Sequence, residues 1–278
     1  MKEQDSPPVH GWSPSPLLYA SAAIHLGAAG AALVRPPLWP WALAAVVANH
    51  AALAAAGLWP RSQLLGPNWT RLPGRNGASV GVAVTIDDGP DPEVTPQVLS
   101  QLDQHRAQAT FFCVGERVLR YAELAKEIVR RGHDIENHSQ RHRHHFSVMG
   151  PGAMGDEISR AQDSITRVTG SSPRFFRAPA GLRNPFLDPL LVRMQLRLAS
   201  WTRRGFDTVN ANADTVYRRL ADPLRDGDIL LLHDGNAART AGGRPVITEV
   251  LPRLLDAIAA KQCRPVTLRS AIPAADST

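Results

Sequence analysis

The sequence predicts an α/β fold: a distorted (β/α) barrel of about seven parallel strands, preceded by two hydrophobic N-terminal helices. Three observations carry that prediction. From residue 80 onward, short apolar runs of strand length alternate with amphipathic stretches, as in a parallel sheet covered by helices. Polar residues with chemical potential follow directly after several of those runs, at the carboxyl strand ends where such folds place their sites. Ahead of them stand two uncharged runs, each of about the length that crosses a bilayer's hydrocarbon core.

Residues 1–16 form a polar, Pro-rich tail of mixed charge, which argues against a cleaved signal peptide. Leu17 to Val34 is an uncharged run of 18 residues, broken by Arg35, Pro36 and Pro37, and Leu38 to Trp59 is a second of 22 residues. Trp39, Trp41 and Trp59 lie near the ends of the second, where interfacial aromatics belong. Both runs are Ala-rich and hold one histidine each, His25 and His50, which leaves a pair of buried or surface-lying helices as the alternative. The reading adopted is a membrane hairpin through residues 17–59, with helices at 17–34 and 38–59.

Residues 60–79, rich in Arg, Pro, Gly and Asn, read as a linker or extended lead-in to a domain over 80–278. There the strand readings are Val82 to Ile86, Ala109 to Val114, Asp134 to Asn137, Phe175 to Arg177, Leu198 to Trp201, Ile229 to Leu232 and Pro265 to Leu268. Helical stretches are expected over Glu93 to His105 and Glu116 to Arg131.

Composition narrows the function. With 278 residues, 44% hydrophobic and 20% charged, the chain can bury a large core, and wholesale disorder is excluded. Its 21 Gly and 23 Pro show no period, which removes collagen and repeat arrays. The net charge of +6 suits an anionic partner, but no Lys/Arg block marks a nucleic-acid binder. Cys113 and Cys263 are too few for a disulfide scaffold or a thiolate metal site and read as buried small hydrophobes.

The strand ends carry the chemistry. Thr85-Ile86-Asp87-Asp88-Gly89-Pro90-Asp91 follows the first strand, Asn137-His138-Ser139-Gln140-Arg141-His142 the third, and Arg177-Ala178-Pro179-Ala180-Gly181 the fourth. Trp201 and Asp207 follow the fifth, and Leu231-Leu232-His233-Asp234 the sixth. His138 and His142 are four apart, so one helical turn would aim both imidazoles at one metal. One of the two aspartates would complete a His, His, Asp set with an open position, leaving its neighbour free to take a proton. His233 could protonate a leaving nitrogen or oxygen.

These five segments, in this order, resemble the polysaccharide deacetylase family, also called the NodB-homology or carbohydrate esterase family four proteins. The resemblance spans roughly residues 80 to 268, and Thr-Ile-Asp-Asp-Gly-Pro together with His-Ser-Gln-Arg-His is its most specific part. It implies Asp87 as general base, Asp88 as metal ligand beside His138 and His142, and His233 as general acid. It further implies that Arg177 orients Asp87 and that Asp207 hydrogen-bonds His233. The Ala180 backbone amide would polarise the acyl oxygen, and Leu231 and Trp201 would belong to the substrate pocket. The implied reaction is hydrolysis of an N-acetyl or similar N-acyl group on an amino sugar, with zinc the default cofactor and cobalt, nickel or iron able to replace it.

Departures from the family pattern are visible. Ala180 stands where tyrosine is frequent, Ala178 where proline is, and Thr208 where an aromatic is common, so a different or smaller glycan is in view. His144 and His145 read as a solvated loop, and His133 and Asn137 as structural. Arg183 and Asn184 would cap a helix or touch substrate.

Lys2, Arg61, Arg71 and Arg75 outnumber Arg35, which alone would place the domain on the cytoplasmic side. The resemblance instead favours an extracytoplasmic domain on a bacterial-type inner membrane. The implied partner is an acetylated glycan or a lipid-linked amino sugar. Hydrolysis of O-acetyl esters and a silent membrane-anchored glycan-binding module are the alternatives.

Overall fold

The computed structural model describes residues 11–74 and 79–273. Most of the polar tail, with Lys2, and Arg75 of the lead-in lie outside the described residues.

The architecture is an all-parallel sheet, curled and clad in helices, whose centre is β1 (Val82–Asp87). Every residue of β1 is buried, as expected of a strand covered on both faces. Alternation divides its side chains. Val82, Val84 and Ile86 join the large core beneath the helices, while Ala83 joins a smaller interior cluster with Phe112, Ile229, Leu231 and Trp201. Thr85 and Asp87 share the parity of Ala83, which is how the motif reaches the hollow of the sheet.

On one side of β1 come β2 (Thr110–Cys113), β3 (Asp134–Asn137), β4 (Phe175–Phe176) and β5 (Arg197–Leu198). On the other come β7 (Ile229–His233) and β6 (Arg203–Arg204), and β8 (Pro265–Val266) pairs with the start of β1. Register aligns the carboxyl ends: Asp87 stands opposite His233 of β7 and Phe112 of β2, and Cys113 opposite Asn137.

The helices follow the predicted alternation with one difference. α3 (Val94–Gln104) agrees with expectation, but the stretch expected over Glu116 to Arg131 is two helices, α4 (Gly115–Arg120) and α5 (Ala122–Arg130), broken at Tyr121, whose φ of −119° and ψ of 51° are not helical. α6 (Pro151–Thr169) buries Met154, Ile158, Ala161 and Ile165 on one stripe and stops at Gly170, whose φ of 73° suits glycine. α7 (Leu187–Arg193), α8 (Ala213–Ala221) and α9 (Val246–Ala260) complete the cover. β6 was not expected, because Arg203–Arg204 carries no apolar signal, and the run from Leu198 to Trp201 pairs as strand only at its start.

The lead-in is docked rather than loose. Trp69 bridges Ala199 beyond edge strand β5, and Arg71 bridges Asp228 ahead of β7, so this segment is tied to the sheet at two separate strands. Arg71 Nη1 also donates to the buried Asp228 carboxylate at 2.7 Å.

α1 (Pro16–Val34) and α2 (Trp39–Leu58) form a hairpin turned by Pro36–Leu38. Each is long and apolar enough to cross a membrane by length and composition. Only Ser21 of α1 and Asn49, Ala56 and Gly57 of α2 are buried, and Asn49 Nδ2 donates to Ser21 Oγ between the helices at 2.9 Å. The domain-facing end is held fast. Ser15 Oγ donates to the Leu64 carbonyl, Trp12 Nε1 to Asp188, and buried Arg183 to the carbonyls of Ser62 and Gly66. Arg183 is therefore an anchor for the lead-in, neither a cap nor a cavity-lining residue, while Asn184 Nδ2 bonds the Met149 carbonyl.

Candidate metal centre and active site

β1 delivers Asp87 and Asp88 to the rim with opposite tasks. Asp87 lies inside the strand and accepts from Arg177 Nη1 at 2.6 Å. Arg177 is almost wholly buried and committed elsewhere too, donating to Thr85 Oγ1 and to the carbonyls of Ala199 and Ser200. That framework fixes the Asp87 carboxylate from one side and leaves Oδ2 3.8 Å from His138 Nε2 on the other.

Asp88 breaks from the strand with a φ of 74°, which turns its side chain toward the two histidines. Its Oδ1 lies 3.3 Å from both His138 Nε2 and His142 Nε2, and the ligand atoms of the three residues fall within 4.8 Å of one another. This Oδ1 is buried without a hydrogen-bond partner, whereas Oδ2 accepts from Asn236 Nδ2 at 2.9 Å. His138 Nδ1 contacts the Arg177 carbonyl at 2.8 Å; with the proton there, the Nε2 lone pair faces Asp88. An orphaned carboxylate oxygen and two imidazole nitrogens at one point fit a divalent cation.

The His138–His142 spacing does not correspond to the helical turn expected of it. His138 and His142 lie on a loop, not on a helical turn; left-handed φ values of 64° at Ser139 and 50° at His142 fold it back, and the Ser139 hydroxyl accepts from the His142 amide. Burial and neighbouring His138 lower His142 to a pKa of about 4, leaving it neutral at physiological pH. Burial also raises Asp88, but His138, His233 and His142 outweigh that and hold it well below the carboxylate range.

His233 ends β7 opposite Asp87. Asp207 clamps it twice, accepting from the backbone amide at 2.7 Å and lying 2.9 Å from Nδ1. Burial lowers the imidazole pKa, but Asp207, then Asp87 and Asp88, more than offset it and push His233 up to about 9.

Asp87, Asp88, His138, His142, Ala180, Trp201, Leu231 and His233 all line one cavity of about 190 Å³. Arg177 and Asp207 stand behind Asp87 and His233. Ala180 has a left-handed φ of 56°, and Gly181 beside it packs so tightly on Trp201 and Pro60 that a Cβ would fall 2.4 Å from the indole. His144 and His145 are exposed, as expected. Cys113 is buried, but Cys263 is only half-buried, with its thiol toward Asp226; both are free.

Two cavity residues escaped the sequence reading, Asn236 and Arg204, while Gly181 was quoted only as part of the motif after the fourth strand. Asn236 sits three residues past His233 in no motif, and Arg204 lies in the interval between Trp201 and Asp207 that periodicity left blank.

Comparison with known proteins agrees with this geometry. The family model for polysaccharide deacetylase matches residues 75–199, which includes Asp87, Asp88, both histidines and Arg177. The chain is 34% identical over 175 residues to a peptidoglycan-N-acetylglucosamine deacetylase of Bacillus cereus, covering 62% of this chain and 81% of that one. It is 34% identical over 155 residues to a chitooligosaccharide deacetylase of Bradyrhizobium, covering 55% and 70%. A crystal structure of a peptidoglycan N-acetylglucosamine deacetylase superposes with a TM-score of 0.66 at 26% identity, covering 74% of this chain and 92% of the other. The chain belongs to the polysaccharide deacetylase family.

Proposed function

We propose that the protein removes N-acetyl or similar N-acyl groups from amino sugars of a glycan, with Asp88, His138 and His142 holding a divalent cation, zinc by default. The observation that supports this most is the joint arrangement of an unbonded, buried Asp88 oxygen between two imidazoles and two proton-handling groups, Asp87 and His233, on paired strands. A glycan-binding module has no use for such a set. When bound, the cation supplies Lewis acidity, lowering the pKa of a water beside it and drawing charge from the acyl oxygen.

The protein's residues do the rest. Asp87, pinned by Arg177 at Oδ1, takes the water's proton at Oδ2. The backbone amide of Ala180 faces the developing oxyanion. His233, kept protonated by Asp207, gives its proton to the departing nitrogen, so that acetate and a free amine leave. Leu231 and Trp201 form the wall for the acyl methyl.

The hairpin would tether the domain, residues 80–278, to a membrane, on the extracytoplasmic side where a wall or secreted glycan lies. The bare apolar faces of α1 and α2 support a lipid environment. Pro60, just past α2, packs under Gly181 and Trp201, which would set the cavity close to the bilayer surface. Carboxyl-terminal fusions to reporters active on one side only decide the orientation; a cytoplasmic result would redirect the substrate to a lipid-linked or soluble amino sugar.

Amide and ester hydrolysis separate at His233. In His233→Ala, N-acetyl cleavage should fall far more than cleavage of an O-acetyl ester, whose better leaving group needs less help from an acid. Equal losses would remove His233 from the acid role.

A further inference from the structure

Arg204 is a cation in the cavity that the proposed chemistry does not use. It closes β6, paired in register with cavity residue Leu231. The other arginine close to the reacting groups, Arg177, spends its guanidinium on Asp87, Thr85 and two carbonyls, and neighbouring Arg203 pairs with Asp228. Arg204 has no such commitment: its Nε is buried without a hydrogen-bond partner, and among the described residues no carboxylate pairs with it. Its position is nonetheless defined, with Cζ 5.4 Å from the Trp201 ring centroid and 4.9 Å from that of Phe206. Aromatic contacts of that kind hold a guanidinium plane while leaving its N–H groups available. Ala180 and Thr208 put only small side chains on the same cavity, which leaves room for a substituent beside the acyl group.

A buried donor without a partner is costly, and a planar, pre-positioned fork is suited to a carboxylate or a phosphate. We infer that Arg204 recognises an anionic substituent, carboxylate or phosphate, carried by the amino sugar whose acyl group is removed. The inference rests on the deacetylase reading for the identity of the sugar, and on Arg204 alone for the charge.

The test uses the full-length, zinc-loaded protein in detergent with three probes: N-acetylmuramic acid, N-acetylglucosamine 1-phosphate and the neutral methyl glycoside of N-acetylglucosamine. Binding is measured by calorimetry and turnover by acetate release. At least one anionic probe should bind about 10- to 100-fold more tightly than the neutral one, the range of a charge-assisted pair. The stronger of the two identifies the source of the charge. Arg204→Met should reduce that preference to within about 3-fold, the anionic sugar losing far more affinity than the neutral one, and Arg204→Lys should restore part of it. Equal binding of all three probes by the unaltered protein, or equal weakening of neutral and anionic sugars in both variants, would overturn the inference. A charge preference that depends on Arg204, without turnover of any probe, would instead count against the deacetylase reading.

Discussion

Replacing Asp207 with asparagine should move the alkaline limit of activity by more than two pH units. His233 must be protonated to serve as an acid, so activity is present below its pKa and lost as pH rises through it. In the folded protein that pKa is about 9, against an ordinary 6.5. At about 1.4 kcal/mol per pKa unit, the difference is on the order of 3 kcal/mol in favour of the imidazolium. Asp207 supplies the largest raising contribution, by charge and by hydrogen bond, ahead of Asp87 and Asp88. Asparagine keeps the shape and removes the charge, and burial, which lowers the pKa, then has less to oppose it. With the limit near 6.5, roughly 3% of His233 would be protonated at pH 8, and kcat/KM there should drop about 30-fold while at pH 5.5 it drops only a few-fold. The assay is acetate release from an N-acetylated oligosaccharide by metal-saturated enzyme from pH 5 to 10. An equal loss at every pH, with the alkaline limb unmoved, would show that Asp207 only builds the strand end and does not hold the proton on His233.

Other substitutions separate the remaining roles. Asp87→Asn should retain the cation in an elemental analysis yet lose about 10²- to 10⁴-fold in turnover; loss of the metal as well would mean that the two aspartates have exchanged roles. Asn236→Ala frees Asp88 Oδ2 and should weaken zinc affinity about 10- to 100-fold in a chelator competition. Gly181→Ala meets both a left-handed φ of 74° and a Cβ 2.4 Å from Trp201, and should cost about 2–4 kcal/mol in denaturant unfolding; a stability within 0.5 kcal/mol of the parent, on the order of a neutral surface change, would contradict the packing described for that wall.

Much of this site was legible because parallel sheets report themselves locally. Ile229 to Leu232 is a continuous apolar run and Val82 to Ile86 is one broken only by Thr85, and the residue after each run lands on the rim by geometry alone. That logic placed Asp87, Asp88, Arg177 and His233 in or beside one cavity although about 150 positions separate the first from the last. It failed where position comes from tertiary contacts. β6 is two arginines whose strand pairing is imposed by β7, so no periodic signal marks Arg203–Arg204. The histidine loop satisfied a helix-spacing rule by coincidence, since its geometry comes from left-handed Ser139 and His142 and from Ser139 receiving the His142 amide. The Pro, Gly and Arg content of residues 60–79 left a linker and an extended lead-in equally open, whereas Trp69 and Arg71 bridge Ala199 and Asp228, each more than 100 residues away. Composition carries no information about such partners.

A cation at Asp88, His138 and His142 is proposed to serve hydrolysis of an N-acyl amino sugar. The most direct measurement is parallel quantification of acetate and free amine from an N-acetylglucosamine oligosaccharide and its N-acetylmuramic acid counterpart, using the full-length protein stripped of metal and then titrated with zinc. The stripped protein should give no product, zinc should restore acetate and amine in equal amounts, and the response should saturate at one zinc per chain and disappear in His138→Ala. Undiminished product from the stripped protein, or stoichiometric zinc binding that never yields amine from either sugar, would contradict that role of the cation.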